Sequence, residues 1–262
     1  MMRYLRLYGK FIEFSFSKAM EFRVDFYFRI FMDLMYYAVS FAFFKILYLH
    51  TPDIGGWNES QAMVFVGCFI VIDGIQMTLF ANNTWFLPMA INSGDLDYYL
   101  VRPVSSFFML NLREFAANSF MNLAMAIGFM VYTLVIYPEP LGVVNLILFL
   151  IFTFNGAMIF QLMRIISILP VFWTHGGRGL DSLFWTMEKF AERPHRIYTG
   201  VVKVIMLTVL PFSLMSSVPT DILFQDNPWE SVAVVSGITV VLFALVLWFW
   251  NFAIKNYSSA SS

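Results

Sequence analysis

Six long apolar stretches recur along the chain of 262 residues, and they constrain its fold more than any other feature. About 20 apolar residues in a helix suffice to cross a ~30 Å hydrocarbon layer. Hydrophobic residues make up 60% of the chain and charged residues 13%, against about 45–50% and about 25% in soluble domains. The sequence therefore predicts an all-α integral membrane protein with six transmembrane helices. These spans are predicted at 25–48, 60–82, 107–137, 142–171, 197–217 and 231–254.

The basic residues are distributed unevenly between the two sides that these spans define. The segments 49–59, 138–141 and 219–230 on one side contain no Lys or Arg. Of the 16 basic residues, all but Lys45 are predicted to lie on the opposite side or close to it. Lys and Arg in short loops mark the cytoplasmic side of a multi-pass protein. This bias predicts a protein of the cell inner membrane with both termini in the cytoplasm.

Residues 1–24 are predicted to form an amphipathic helix that precedes the first span. Large apolar residues recur at helical spacing on one face, and basic residues occupy another face. A basic amphipathic helix of this kind lies in the headgroup plane of a bilayer, and a merely solvated helix is the alternative. The apolar positions are Leu5, Tyr8, Ile12, Phe16 and Ala19.

The first large cytoplasmic connection, about 83–106, contains several signals that end and restart helices. Asn83 or Thr84 is suited to cap a short helix, and Gly94 is suited to end it in a left-handed conformation. Asp95 can then begin the next turn. The segment predicts a compact helix–turn–helix at the membrane surface, with acidic and aromatic residues available to a cytosolic partner.

The second cytoplasmic connection is predicted at about 172–196. Its apolar residues share one face of a helix that Pro194 ends, because proline cannot continue a helix. Such a helix can rest on lipid, pack under its own bundle or bind a partner, and the sequence favours none of the three. The apolar residues are Leu180, Leu183, Phe184, Met187 and Phe190.

Polar and helix-breaking residues inside the spans are the candidates for a translocation path. Asp73 lies near the middle of the second span with Gln76 one turn away. An unpaired carboxylate at mid-bilayer costs about 2.5–3.5 kcal/mol or more, so Asp73 is expected to face the bundle interior, a partner or water. A structural hydrogen bond and a role in translocation remain alternative interpretations. Pro211 and Pro219 interrupt the apolar segment before the last span and are assigned to the same possible path.

The sequence excludes several kinds of chemistry. Cys68 is the single cysteine, so the chain has no disulfide and no cysteine-based metal site. The chain has no G-x-x-x-x-G-K-[ST] motif and is not expected to hydrolyse ATP itself. Its histidines, His50, His175 and His195, form no H-E-x-x-H motif, so no catalytic cluster, metal or cofactor is predicted. Nucleic acid is a poor candidate partner because no basic stripe is interleaved with exposed aromatics.

Two motifs resemble those of the ABC-2 type transporter permeases. The run Ile91–Pro103, INSGDLDYYLVRP, resembles the family element with the pattern GxLDxxLxRP. The run Phe190–Tyr198, FAERPHRIY, resembles the element FxxYPxxIY, although Arg193 stands where tyrosine is usual. The resemblance covers essentially the whole chain.

This resemblance implies a permease that assembles with a second permease, identical or homologous, and with two cytosolic ATPase subunits that bind ATP and Mg. It implies that the first connection couples to the ATPase, and that a pair of short re-entrant helices occupies about 211–230. One kinked helix followed by a loop is the alternative there. The implied coupling residues are Gly94, Asp95, Leu96, Asp97, Leu100, Arg102 and Pro103. Those of the second connection are Phe190, Arg193, Pro194 and Tyr198.

The resulting functional hypothesis is an exporter subunit that moves an amphipathic or lipid-like substrate out of the cytoplasm or the inner leaflet. The 31 Phe and 17 Met residues would supply apolar surface for such a substrate. Two alternatives from other classes are an intramembrane lipid-modifying enzyme and an ion-coupled transporter or channel. An enzyme would need a concentrated catalytic cluster, and a channel would usually have more ionisable groups at mid-depth.

Overall fold

The computed structural model describes residues 2–19, 23–174, 176, 178–208 and 210–257. In this part of the chain the regular structure is helical, with 3₁₀ turns at Ala117–Ser119 and His195–Ile197. The α-helices are α1 Met2–Ala19, α2 Arg23–His50, α3 Glu59–Leu79, α4 Ala81–Ser93, α5 Asp97–Leu100, α6 Ser106–Leu112, α7 Phe120–Val135, α8 Val143–Ile168, α9 Val171–Thr174, α10 Arg178–Glu188, α11 Gly200–Thr208, α12 Ser213–Phe224 and α13 Trp229–Lys255.

Four helical segments of the described chain are long and apolar enough to cross a membrane. They correspond to the predicted first, second, fourth and sixth spans, so the helical character of these four is confirmed. The shorter α7 is also apolar. The number of six crossings stays a prediction. The four segments are Ile30–His50, Glu59–Leu79, Val143–Thr174 and Trp229–Lys255.

The helices form a bundle with two distinct ends. One end, called the Trp57 end, contains the α2–α3 loop and the first residues of α8 and α13. There Tyr48 Oη donates to the Trp57 carbonyl oxygen over 2.9 Å, and Asn145 Nδ2 donates to the Gln225 carbonyl oxygen over 2.8 Å. The other end, called the α1 end, contains α1, α4, α5 and α6 with the last residues of α8 and α13. There the Tyr4 ring packs edge-on against Phe108 with centroids 4.8 Å apart.

Helix α3 is the central helix, and glycines bring its neighbours close. An ideal Cβ on Gly67 would lie 3.1 Å from Met130 Cα, so α3 and α7 approach at backbone distance. At Gly156 a Cβ would overlap the Met215 carbonyl group, so α8 and α12 are in still closer contact. Small residues permit such contacts between membrane helices, where van der Waals packing rather than hydrophobic exclusion drives association.

The predicted third span, 107–137, is wrong as a continuous helix, because the chain breaks into α6, a 3₁₀ turn and α7. Partners outside the segment satisfy the backbone at the break. The Glu114 N–H donates to Asn83 Oδ1 over 2.8 Å, and the Ala116 N–H donates to the Thr78 carbonyl oxygen over 2.8 Å. Each bond replaces one that a continuous helix would have made internally, so the break leaves few unsatisfied donors.

Helix α10 runs back along α8, from the α1 end toward the middle of the bundle. Asp181 near its start forms an ion pair with Arg164, which lies close to the last turn of α8. One turn later Phe184 packs against Phe160, with ring centroids 5.6 Å apart. Since later residues of α10 meet earlier residues of α8, the two helices are antiparallel.

The chain after α10 continues in the same direction and reaches the Trp57 end. The Ala191 carbonyl oxygen accepts a 2.8 Å hydrogen bond from Ser216 Oγ in α12. A few residues later the Arg196 guanidinium lies 5.8 Å from the centroid of the Trp57 ring. Residues 178–193 therefore lead from one end of the bundle to the other, and residues 194–199 form a loop at the Trp57 end.

This path corrects two sequence predictions. The segment 172–196 is not a connection confined to one end, and 197–217 is not one continuous helix, because it is divided between α11 and α12, which are bent by 94°. Whether this bent pair crosses the membrane stays a prediction. Of the apolar residues expected on one face of α10, Phe184 packs against Phe160 of α8 and Phe212 at the start of α12, whereas Leu183 is exposed. Some basic residues therefore lie in the half of the bundle that was assigned to the outside. They are Arg193, Arg196 and Lys203.

Helices α11 and α12 follow this loop as a bent pair, either a broken span or a re-entrant loop. They are inclined by 94° to each other. Phe212, at the start of α12, packs 5.7 Å from Phe184 in the middle of the bundle, whereas Asp221 lies at the Trp57 end beside Trp57. Within the predicted re-entrant segment 211–230 the structure has the helix α12, and its partner α11 begins earlier than predicted.

Candidate functional site

The motif Gly94–Pro103, called the docking motif, forms a tight turn at the α1 end. Gly94 ends α4 with φ +85°, in the left-handed region that glycine adopts most readily, and this prediction is confirmed. The Leu96 N–H then donates to the Ala90 carbonyl oxygen over 3.1 Å, and the Leu96 side chain is fully buried. The turn is thus fastened to the core of the bundle by its backbone and by one apolar side chain.

The docking motif divides its side chains between the core and the surface. Tyr99 is buried and accepts a hydrogen bond from the Arg113 guanidinium, and Leu100 packs partly against the core. Burial raises the pKa of the Tyr99 hydroxyl, and the nearby Arg113 opposes this shift, so the phenol stays neutral near pH 7. The Arg102 guanidinium lies 3.9 Å from the centroid of the Tyr98 ring, and Asp97 is half-buried. The exposed side chains are Asp95, Tyr98, Val101 and Pro103.

Helix α4 is fastened to the break between α6 and α7 through Asn83. Asn83 Nδ2 donates to the Glu114 carbonyl oxygen over 2.9 Å, while Asn83 Oδ1 accepts from the Glu114 N–H. The prediction that Asn83 or Thr84 caps this helix is wrong, since α4 begins at Ala81 and both residues lie inside it. A paired amide contact therefore joins α4 to the break that precedes α7.

Gln76, assigned to a possible translocation path, belongs to a buried amide network. Its Nε2 donates to Gln161 Oε1 over 2.8 Å, and Gln161 Nε2 donates to Asn111 Oδ1 over 3.0 Å. These bonds link α3 to α8 and α8 to α6. Hydrogen bonds between buried amides hold helices in a specific arrangement, although Gln76 Oε1 itself has no hydrogen-bond partner among the described residues.

Asp73 lies on another side of α3, toward α2 and the segment after α10. The acidic groups that interact electrostatically with Asp73 are Asp33 on α2 and Glu188 and Glu192 in and after α10. Glu192 and Arg193 line a cavity of about 280 Å³ between α2 and α3. Aromatic rings form much of its wall, among them Tyr36, Phe44, Phe65 and Phe69.

The structure does not bring the proposed path residues into one place. Pro211 and Pro219 are buried around α12, and neither lines the cavity beside Asp73. Phe190 and Tyr198 pack against each other, with ring centroids 5.8 Å apart. They belong to the segment that reaches the Trp57 end, so they are far from the docking motif.

A buried carboxylate joins three separate parts of the chain at the Trp57 end. Asp221 Oδ1 accepts from Trp57 Nε1 over 3.1 Å and from Arg196 Nη2 over 2.9 Å. His195 Nε2 lies 3.4 Å from Asp221 Oδ2, and His195 Nδ1 lies 2.9 Å from Ser217 Oγ. The α2–α3 loop, the 194–199 loop and α12 meet in this group, which is called the Asp221 cluster.

Ser217, His195 and Asp221 are the residue types of a hydrolase triad. Their surroundings fit a structural role instead. Ser217 is fully buried, and its Oγ accepts a 2.8 Å hydrogen bond from the His195 backbone N–H. An activated serine needs access to a substrate carbonyl and free oxyanion donors. The hydroxyl of Ser217 instead holds the 194–199 loop against α12.

A family model described as ABC-2 family transporter protein matches residues 34–261. The chain belongs to the ABC-2 transporter family. ABC-2 permeases are membrane subunits of transporters rather than catalytic subunits, and membership implies partnership with an ABC ATPase. No curated protein and no solved structure matches the chain.

For this ABC-2 permease, sequence reasoning predicted the turn at Gly94 correctly but missed the Asp221 cluster, and the ATPase-coupling role of the docking motif stays a prediction. Trp57 and Asp221 are 164 positions apart, and Arg196 lies in a segment that was assigned to the opposite side. The one available signal was an acidic residue inside an apolar segment next to Pro219. That signal indicates a buried partner without identifying it.

Proposed function

We propose that this chain is the transmembrane subunit of an ATP-driven exporter whose separate cytosolic ATPase binds the docking motif. The observation that carries this proposal is the division of the motif between core and surface. Leu96 and Tyr99 are buried in the bundle, whereas Asp95, Tyr98 and Val101 are exposed on one turn of chain. A rigid, partly apolar and acidic surface suits a protein partner that transmits force.

The contacts of α4 provide a route for that force. ATP-driven closure of two ATPase subunits would displace the docking motif and with it α4. The paired bonds between Asn83 and Glu114 would carry the displacement to the start of α7. The Gln76–Gln161 bond would carry it between α3 and α8. Rigid helices that move as units about packed contacts are a common means of switching between states.

The proposed orientation places the α1 end in the cytoplasm of the cell inner membrane. Arg6, Lys10 and Arg102 lie at this end in the structure, and basic residues favour the cytoplasmic side. Both chain termini would then be cytoplasmic. The functional unit would contain a second permease, identical or homologous, and two ATPase subunits with their own ATP and Mg. Asp73 and the cavity beside α2 would lie along the path of an amphipathic or lipid-like substrate.

A pull-down from the native host tests the proposal. Tagged permease should recover a P-loop ATPase, and Asp95→Lys or Val101→Glu should lower the affinity about tenfold or more. Asp95→Lys reverses the charge of the acidic surface, and Val101→Glu puts a charge where an apolar side chain would be buried. Asp226→Lys is the matched control, since Asp226 is an exposed carboxylate near the Trp57 end. Equal ATPase recovery with all three variants would count against the docking motif as the contact, and recovery of no ATPase would count against the exporter.

A further inference from the structure

A cavity of about 570 Å³ opens near the α1 end between α4, α8 and α10. This volume lies within the range of about 300–1,000 Å³ that small-molecule sites occupy. The polar side chains of its lining are Thr84, Asn92, Arg164, Ser167 and Asp181. The apolar side chains are Trp85, Pro88, Met89, Ile168 and Val171. The cavity is therefore amphipathic in the same sense as a molecule with a polar group and an apolar body.

Arg164 is the charged group of the polar wall. Its side chain is only 3% exposed, and its guanidinium lies 4.9 Å from the ring centroids of both Phe184 and Trp185. Nη2 donates to Asp181, but Nη1 is buried without a hydrogen-bond partner among the described residues. A buried unsatisfied donor costs about 1–3 kcal/mol, and more when it is charged. The described residues therefore provide no hydrogen-bond acceptor for Arg164 Nη1.

Asp181 is a counter-ion that an incoming anion can replace. Its side chain is 46% exposed, in contrast to Arg164, and its Oδ2 accepts from Trp185 Nε1 over 3.2 Å. Water can solvate the Asp181 carboxylate when it moves away, whereas Arg164 stays buried against the Phe184 and Trp185 rings. An anion that enters the cavity can therefore displace Asp181 from Nη2, and once the groups that cover Nη1 give way it can take both guanidinium nitrogens, which match a carboxylate or phosphate bidentately.

We infer that this cavity binds an amphipathic anion, with its carboxylate or phosphate on Arg164 and its apolar body against Trp85, Met89 and Val171. The inference rests on the proposed export function only in naming such a molecule as the substrate. The binding itself follows from the cavity and its buried cation. Arg164 is then more than the helix anchor that its position near the end of α8 suggests.

Titration calorimetry on the purified full chain in neutral maltoside micelles tests the site. Dodecyl phosphate is the probe, and titration into protein-free micelles corrects for partition into the detergent. Wild type should show saturable binding, and Arg164→Gln should weaken it about tenfold or more, as loss of a charge-assisted pair predicts. Arg6→Gln is the matched control, since Arg6 is an exposed arginine near the same end. It should bind as wild type does.

The variant Asp181→Asn tests anion binding by Arg164 even if Arg164→Gln fails to fold. This variant keeps the Arg164 guanidinium and removes the charge that competes with the ligand, so dodecyl phosphate should bind about threefold more tightly or better. Dodecyltrimethylammonium, with the same chain and the opposite charge, should not compete. Weaker or unchanged binding by Asp181→Asn, or equal binding of the cation, would overturn the site. The ATPase pull-down has no part in this measurement, so a permease that binds the anion but recovers no ATPase would retain the site and lose the export function.

Discussion

Asp221 illustrates how much one buried carboxylate can organise in a bundle of apolar helices. A carboxylate shielded from water must be paired and hydrogen-bonded. Here the partners are Trp57, Arg196 and His195, which come from two loops that would otherwise have little reason to meet. The position of the 194–199 loop therefore depends on Asp221 together with the Ser217 hydroxyl of the same helix.

Asp221→Asn is expected to lower the free energy of unfolding by about 1–3 kcal/mol. Breaking a buried ion pair costs about 3–5 kcal/mol, but the Arg196 side chain is 37% exposed, so water recovers part of its solvation. The amide can also still accept from Trp57. Thermal unfolding of the detergent-solubilised protein would measure the change. Asp226→Asn, which alters an exposed carboxylate near the same end, should leave the melting temperature unchanged, and an equal loss in both variants would contradict the role of the cluster.

At the scale of single elements, the close contact between two helices depends on a glycine, which has no side chain to keep them apart. Gly156 lets α8 lie directly against the Met215 backbone of α12, because a Cβ at that position would overlap the carbonyl group. Gly128 on α7 has open space where a Cβ would point, with nothing within 4 Å. Gly156 is therefore required for a close helix contact, whereas Gly128 is not.

Gly156→Ala should destabilise the protein by about 1–3 kcal/mol, since α8 and α12 must separate to accept the methyl group. Gly128→Ala should be neutral or stabilising by up to about 1 kcal/mol, because alanine is the better helix former. Melting temperatures of the two variants, measured side by side in the same detergent, test this. A lower melting temperature for Gly128→Ala than for Gly156→Ala would show that the α8–α12 contact is not as close as described.

The break between α6 and α7 shows a limit of reading helices from apolar runs. The sequence around Arg113 and Glu114 contains no Pro or Gly that would mark a break. The break occurs because Asn83 of α4 and Thr78 of α3 supply hydrogen-bond partners to the Glu114 and Ala116 backbone. A helix whose lost bonds are replaced from outside can end without any local signal.

At the scale of the whole molecule, the path of residues 178–193 determines which loops share a side. This segment is less apolar than the long helices and was not expected to cross the bundle. It is accommodated because Asp181 meets Arg164 and the Ala191 carbonyl oxygen meets Ser216 Oγ inside the bundle. Polar groups at membrane depth are tolerated where protein rather than lipid surrounds them.

Cysteine labelling with a membrane-impermeant maleimide tests this path. Thr199→Cys and Asp226→Cys should react from the same side of the membrane, and Val101→Cys should react from the opposite side. All three positions are exposed in the structure, and the native Cys68 is fully buried, so background labelling should be low. Labelling of Thr199→Cys from the same side as Val101→Cys would support a crossing at 197–217 and contradict the path described.

The sequence by itself determined the features that depend on neighbouring residues. Apolar runs of sufficient length defined four long helices. The left-handed turn at Gly94 followed from glycine being free of a Cβ, and the run Ile91–Pro103 indicated the ABC-2 family before the family model matched. Each of these is a local property, because hydropathy, capping and backbone freedom act over a few residues.

Only the tertiary structure decided the path of residues 178–198, the break at Glu114 and the partners of Asp221 and Arg164. In each case a polar group forms a hydrogen bond or an ion pair with a residue that is 17 to 164 positions away along the chain. The free energy that places it comes from burial together with that partner, and neither exists until the helices pack. A sequence shows which polar residues need partners, and packing determines which partners they obtain.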